Sequence, residues 1–136
     1  MIVVIDTNVL VSGMINPHGP PGRLVDLLRS GALRLAVDDR ILAEYVDVLN
    51  RPRLSRYFAS TDLAQIVDYL RCGSMHVLVR RHIRDLPDQS DAPFLEVAMD
   101  AKVPLITGNI RHYPDEWRQE CAILKPADFL NSLSDT

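Results

Sequence analysis

The chain has 136 residues, 47% of them apolar, and its 15 basic and 18 acidic residues leave a net charge of −3. That length predicts one domain, residues 1–136, with enough chain to bury a core, and no apolar run approaches the roughly 20 residues of a membrane span. The acidic balance excludes a general nucleic-acid coat, which needs a strong positive excess, but not an enzyme that gathers acids in one pocket and bases on its rim.

In chain order, the unbroken apolar run Ile2 to Ile5 predicts a fully buried strand. Asp6 falls at its end, and no basic leader precedes it, so the N-terminus does not read as a secretory signal and a cytoplasmic protein is expected. Residues 16–22 are turn chemistry, rich in proline and glycine. A helix is expected over 23–30, with Leu24, Leu27 and Leu28 on one face and Gly31 as its stop. A strand over 33–37 precedes Asp38-Asp39, which open a second helix to about residue 49, ended by Pro52. Residues 53–72 read as helical again, with Leu63, Ile66, Val67 and Leu70 in period. A third strand is expected near 75–79, and a helix starting at Asp91 with Pro93 in its first turn. Residues 103–107 form a fourth strand broken by Gly108, residues 122–124 a short fifth, and 127–133 a closing helix. Cys72 and Cys121 fall in different elements without ligand spacing, which predicts reduced thiols. Strands alternating with helices predict right-handed crossovers and a three-layer α/β/α sandwich on a mainly parallel sheet of about five strands.

In such a sheet, sites form beyond the carboxyl ends of the strands. Asp6 ends the first strand, Thr107-Gly108-Asn109 ends the fourth, and Asp91 opens a crossover helix at that same edge. Glu44 lies five residues beyond Asp39, about 7.5 Å down its helix, but its long side chain leans back toward the helix N-terminus. It borders the apolar face of Ile41, Tyr45 and Val48, whereas Asp47 points away. Asp6, Glu44 and Asp91 therefore converge, with Asn8, Thr107 and Asn109 beside them. Carboxylates this close repel unless something neutralises them, and an all-oxygen set with room for water suits Mg²⁺ or Mn²⁺. Such an ion activates water and bridges phosphate oxygens, the logic of phosphodiester hydrolysis. Arg80, Arg81 and Arg84 follow the third strand, and Arg111 and His112 the fourth, and they supply a rim for a nucleic-acid substrate.

These segments resemble the PIN-domain family, most closely the small VapC-like toxin ribonucleases. The resemblance is carried by VVIDTNVLVSG, DDRILAEYVDVL, DQSDAPFLEVAMDA and VPLITGN, and it covers nearly the whole chain. It implies metal-coordinating acids at Asp6, Glu44 and Asp91, and a fourth polar position at Asn109, where the family often has aspartate. Asn109 brings no charge, so a second ion is expected to bind weakly, with Asp88 as a possible auxiliary ligand. The resemblance further implies single-stranded RNA cleavage, a homodimer and a cognate antitoxin.

Simpler roles exist for each residue taken singly. Asp6 and Asp91 suit helix or turn caps, Glu44 a solvated helix face, Thr107 and Asn109 a turn beside Gly108, and Arg80 to Arg84 a solvated surface. The histidines show no paired ligand spacing. Residues 51–58 suit RNA stacking, an antitoxin segment or helix packing. Two other functions stay open: a silent PIN-like module that binds RNA or protein, favoured by Asn109, and a haloacid-dehalogenase-type phosphatase. The phosphatase also begins with an aspartate after its first strand, but wants an acid where Asn8 stands.

Overall fold

A computed structural model describes residues 1–134. The first strand, β1 (Ile2–Ile5), is buried along Val3, Val4 and Ile5, as its unbroken apolar run requires. It runs directly into α1 (Thr7–Ile15), a helix the sequence pattern did not reveal. The reason is burial on several sides: Thr7, Val9, Leu10, Val11 and Gly13 are all inside, so no polar face marks a period.

Pro20 and Pro21 open α2 (Pro20–Ser30), three residues earlier than the sequence suggested, because proline suits the first helical turn. Then β2 (Arg34–Val37) leads into α3 (Asp39–Leu49), where Asp38 caps the helix by accepting the Ile41 N–H at 3.0 Å. The long helical stretch that follows breaks into α4 (Pro52–Ser55) and α5 (Ser60–Gly73).

At the sheet edge, β3 (Met75–His76) has a partner on one side only and is shorter than expected. A 3₁₀ turn, Gln89–Asp91, precedes α6 (Ala92–Ala101). The chain then forms β4 (Leu105–Ile106), a second 3₁₀ turn at Ile110–His112, α7 (Asp115–Glu120), β5 (Ile123–Leu124) and α8 (Pro126–Ser134). The short α7 was not foreseen.

The five strands are all parallel in the order β3-β2-β1-β4-β5, covered by helices in an α/β/α arrangement. From β1 the chain moves outward through β2 to β3, then returns to β4 on the other side of β1. The carboxyl ends of β1 and β4 thus form the topological switch point, where open α/β sheets leave a crevice. Val4 pairs with Leu105 and Ile5 with Ile106, which puts Asp6 and Thr107 side by side just past the pairing.

One close contact sets the position of α1. A Cβ on Gly13 would lie 2.3 Å from the Pro21 carbonyl oxygen, and one on Gly22 2.4 Å from that of Pro17. Glycine at position 13 lets α1 approach the backbone of α2, and glycine at position 22 lets the 16–17 loop fold back against the start of α2. Both cysteines are free, Cys72 exposed and Cys121 buried.

Candidate active site

Asp6 takes the capping role and is also held at the switch point. Its Oδ1 accepts the Val9 N–H at 2.9 Å and caps α1, while Oδ2 accepts the Thr107 hydroxyl. Asp6 is only 8% exposed, and burial raises its carboxyl above the ordinary value, against the lowering effect of these hydrogen bonds and of His112. Thr107 is itself 1% exposed, and its Oγ1 also accepts the Asn109 N–H at 3.0 Å. Thr107 therefore holds Asp6 and the Asn109 backbone in place and does not face solvent.

Glu44 reaches the same place from α3, where it accepts a hydrogen bond from the Thr7 hydroxyl. The next residue, Tyr45, is fully buried and its hydroxyl donates to the Ile5 carbonyl, which ties α3 to the end of β1. Burial, with the charges of Asp6 and Glu44 close by, pushes the Tyr45 phenol well above its ordinary range.

Asp91 makes no capping bond to α6. Instead its Oδ2 pairs with His112 Nδ1 at 2.9 Å, so the cap role is not the one its side chain takes. Burial raises the Asp91 carboxyl, His112 lowers it, and the charges of Asp88 and Asp6 raise it further. Asp88 Oδ1 accepts the Ser90 hydroxyl at 2.7 Å and the Ser90 N–H at 3.0 Å, and these bonds hold its carboxyl below the usual range.

A cleft of about 430 Å³ opens over these groups, lined by Asp6, Asn8, Glu44, Asp88, Asp91 and Asn109 and also by His112. The sequence places His112 at this edge, in the rim that follows the fourth strand, but assigns it no metal. The 3₁₀ turn after β4 brings it inward: the His112 N–H bonds back to the Asn109 carbonyl at 3.0 Å. Asp88, Asp91 and His112 each place one ligand atom within 4.8 Å of the other two.

Arg80, Arg81 and Arg84 do not line this cleft. The Arg80 N–H donates to Asp100 at 2.8 Å, Arg81 pairs with Asp100 at 3.1 Å, and Arg84 borders a separate cavity with Arg40 and Glu96. Strand order is the cause: β3 lies at the edge, with β2 between it and β1, roughly 10 Å from the switch point at one strand spacing per step. Arg51 and Arg53 line the cleft in their place. The 51–58 segment thus divides: Arg51 and Arg53 line the cleft, Arg56 lies over the Tyr57 ring, and Tyr57 and Phe58 line a groove with Leu10, Met14 and Ile66.

The donor chemistry fits a divalent cation. Asp6 and Asp91 are carboxyls whose ionised form burial penalises, and a bound cation offsets that penalty as a proton would. Asp6, Glu44 and Asp91 offer carboxylate oxygens and Asn8 and Asn109 amide oxygens, the hard donors that Mg²⁺ and Mn²⁺ take.

A family model described as PIN domain matches residues 2–111. The uncharacterized protein MJ1680 of Methanocaldococcus jannaschii is 31% identical over 108 residues, which is 79% of this chain and 70% of that protein.

Proposed function

The chain belongs to the PIN-domain family, whose members are generally nucleases, and from that membership we propose that it is a Mg²⁺- or Mn²⁺-dependent endoribonuclease acting on single-stranded RNA. The observation that supports this most is the meeting of Asp6, Glu44 and Asp91, from three distant segments, in one cleft at the switch point. These three would hold the ion. When bound there, a divalent cation supplies charge neutralisation for a phosphate and a more acidic water.

The protein's own groups do the rest. Thr107 fixes the Asp6 carboxylate, Thr7 fixes Glu44, and His112 orients Asp91. Each carboxylate is thereby held before substrate arrives, which is where preorganisation lowers a barrier. Arg51 and Arg53 are placed to take phosphate oxygens at the cleft, and we assign them that contact in preference to Arg80, Arg81 and Arg84. Asn8 and Asn109 present polar groups to the strand. The preference for a single strand is proposed from the family resemblance.

The toxin role, the antitoxin partner and the homodimer are proposed from the resemblance to VapC-like toxins. Among the described residues no helix is long and apolar enough to cross a membrane. Asn109 favours the second reading, a silent RNA- or protein-binding module.

Cleavage of a mixed single-stranded RNA, with EDTA, Mg²⁺ or Mn²⁺, separates the two. The nuclease reading expects metal-dependent cutting that Asp6→Asn abolishes while circular dichroism stays unchanged. Undiminished cutting by that variant, or an RNA left intact by a protein that binds no Mn²⁺, would refute it.

A further inference from the structure

We propose that His112 is a direct metal ligand in this protein, so that Asp88, Asp91 and His112 build a mixed nitrogen–oxygen cation position where Asn109 leaves an acid out. The inference rests on the metal-nuclease reading, shares Asp91 with it, and adds Asp88 and His112, which that reading does not need as ligands.

Three observations carry it. The ligand atoms of Asp88, Asp91 and His112 lie within 4.8 Å of one another, and all three residues line the open cleft. His112 Nδ1 and Asp91 Oδ2 are 2.9 Å apart. Two neighbouring ligands of an octahedral ion with bonds of about 2.1 Å are separated by about 3.0 Å, so a cation can take the place of the proton between them with little movement.

The third observation is Tyr113, next in sequence to His112. It is 1% exposed, and its hydroxyl has no hydrogen-bond partner among the described residues. A buried hydroxyl without a partner, in the residue that follows His112, is a group that an ordered water completes.

The chemistry sets a selectivity. An all-acid site treats Mg²⁺ and Mn²⁺ as close alternatives, whereas an imidazole nitrogen favours Mn²⁺ and later transition ions over Mg²⁺. This position therefore takes Mn²⁺ in preference to Mg²⁺, and later ions such as Co²⁺ or Zn²⁺ more tightly still.

Pulsed electron paramagnetic resonance of the Mn²⁺-loaded full chain tests the assignment without reference to activity. The expected result is ¹⁴N coupling of the size given by directly bound imidazole, absent in His112→Ala. That variant and Asp88→Asn should each bind Mn²⁺ about tenfold more weakly, with unchanged circular dichroism. Mn²⁺ bound in an Asp6-dependent manner but without ¹⁴N coupling would overturn the His112 assignment and leave the nuclease reading standing. No Mn²⁺ binding by the wild type would overturn both.

Discussion

Gly13→Ala puts two physical effects in direct opposition. Helix propensity alone favours alanine over glycine in α1 by about 1 kcal/mol. The new Cβ, however, would lie 2.3 Å from the Pro21 carbonyl oxygen, 2.6 Å from its carbon and 2.8 Å from Val25 Cγ2. Ordinary contact needs about 1 Å more, and the obstacle is backbone, so α1 and α2 must part. Overpacking of this kind costs about 1–3 kcal/mol and occasionally more, and separating the helices also loosens the packing around Leu10 and Val25. We expect a net loss of about 2 kcal/mol, or a fall in Tm of roughly 6–10 °C for a chain of this length. The urea midpoint should fall with the slope unchanged. Because Thr7, Asn8 and Ser12 line the cleft from α1, RNA cleavage should fall as well. A Tm that rises by the propensity increment, with cleavage intact, would refute the packing argument.

Two other perturbations test the charges. Burial raises the Asp6 carboxyl above its ordinary value of 3.8 in the folded protein. A carboxyl of that kind binds its proton more tightly when folded, so its contribution is present at pH below the unfolded value and is lost as pH rises through the folded one. In EDTA, the Tm of Asp6→Asn, which keeps the cap acceptor, should therefore gain on the wild type as pH rises above the ordinary carboxylate value of 3.8; a gap that moves the other way would contradict the desolvation account. Away from the cleft, Glu96 is 3% exposed and accepts from Arg40 and from the Ile83 N–H, both at 2.7 Å. Arg40→Ala should cost about 1–3 kcal/mol in denaturant unfolding, below the range for a fully buried pair because Arg40 is itself half exposed. Adding Glu96→Gln should recover part of that loss, and strict additivity of the two substitutions would show that the pair does not couple.

What the sequence disclosed depended on how local each signal was. The buried β1 with Asp6 at its end, the capped start of α3 and the position of Asp91 are short-range patterns, and the structure places them as read. Glu44 required only helix geometry. The arginines at 80–84 were misplaced because their distance from the acids depends on strand order, which no local pattern encodes. His112 depends on how a 3₁₀ turn folds back after β4, again a tertiary matter. Helix α1 went unseen for the opposite reason: enclosed by neighbours, it carries no polar stripe to count.

The bond between Asp6 and Thr107 spans 101 residues, and that separation bears on how the protein is made. A chain leaving the ribosome presents Asp6 at once and Glu44 soon after, but β1 lacks its neighbour β4 until residues 105 and 106 emerge. Translation at about 5–20 residues per second makes that delay roughly 5–20 s. Through that interval Asp6 has neither Thr107 nor Asp91 beside it, and the crevice between β1 and β4 does not yet exist. His112 comes 106 residues after Asp6, so the cleft cannot be assembled until that much of the chain has been made. A PIN-domain protein built in this order has no formed cleft to offer any ligand while its first hundred or so residues are being synthesised.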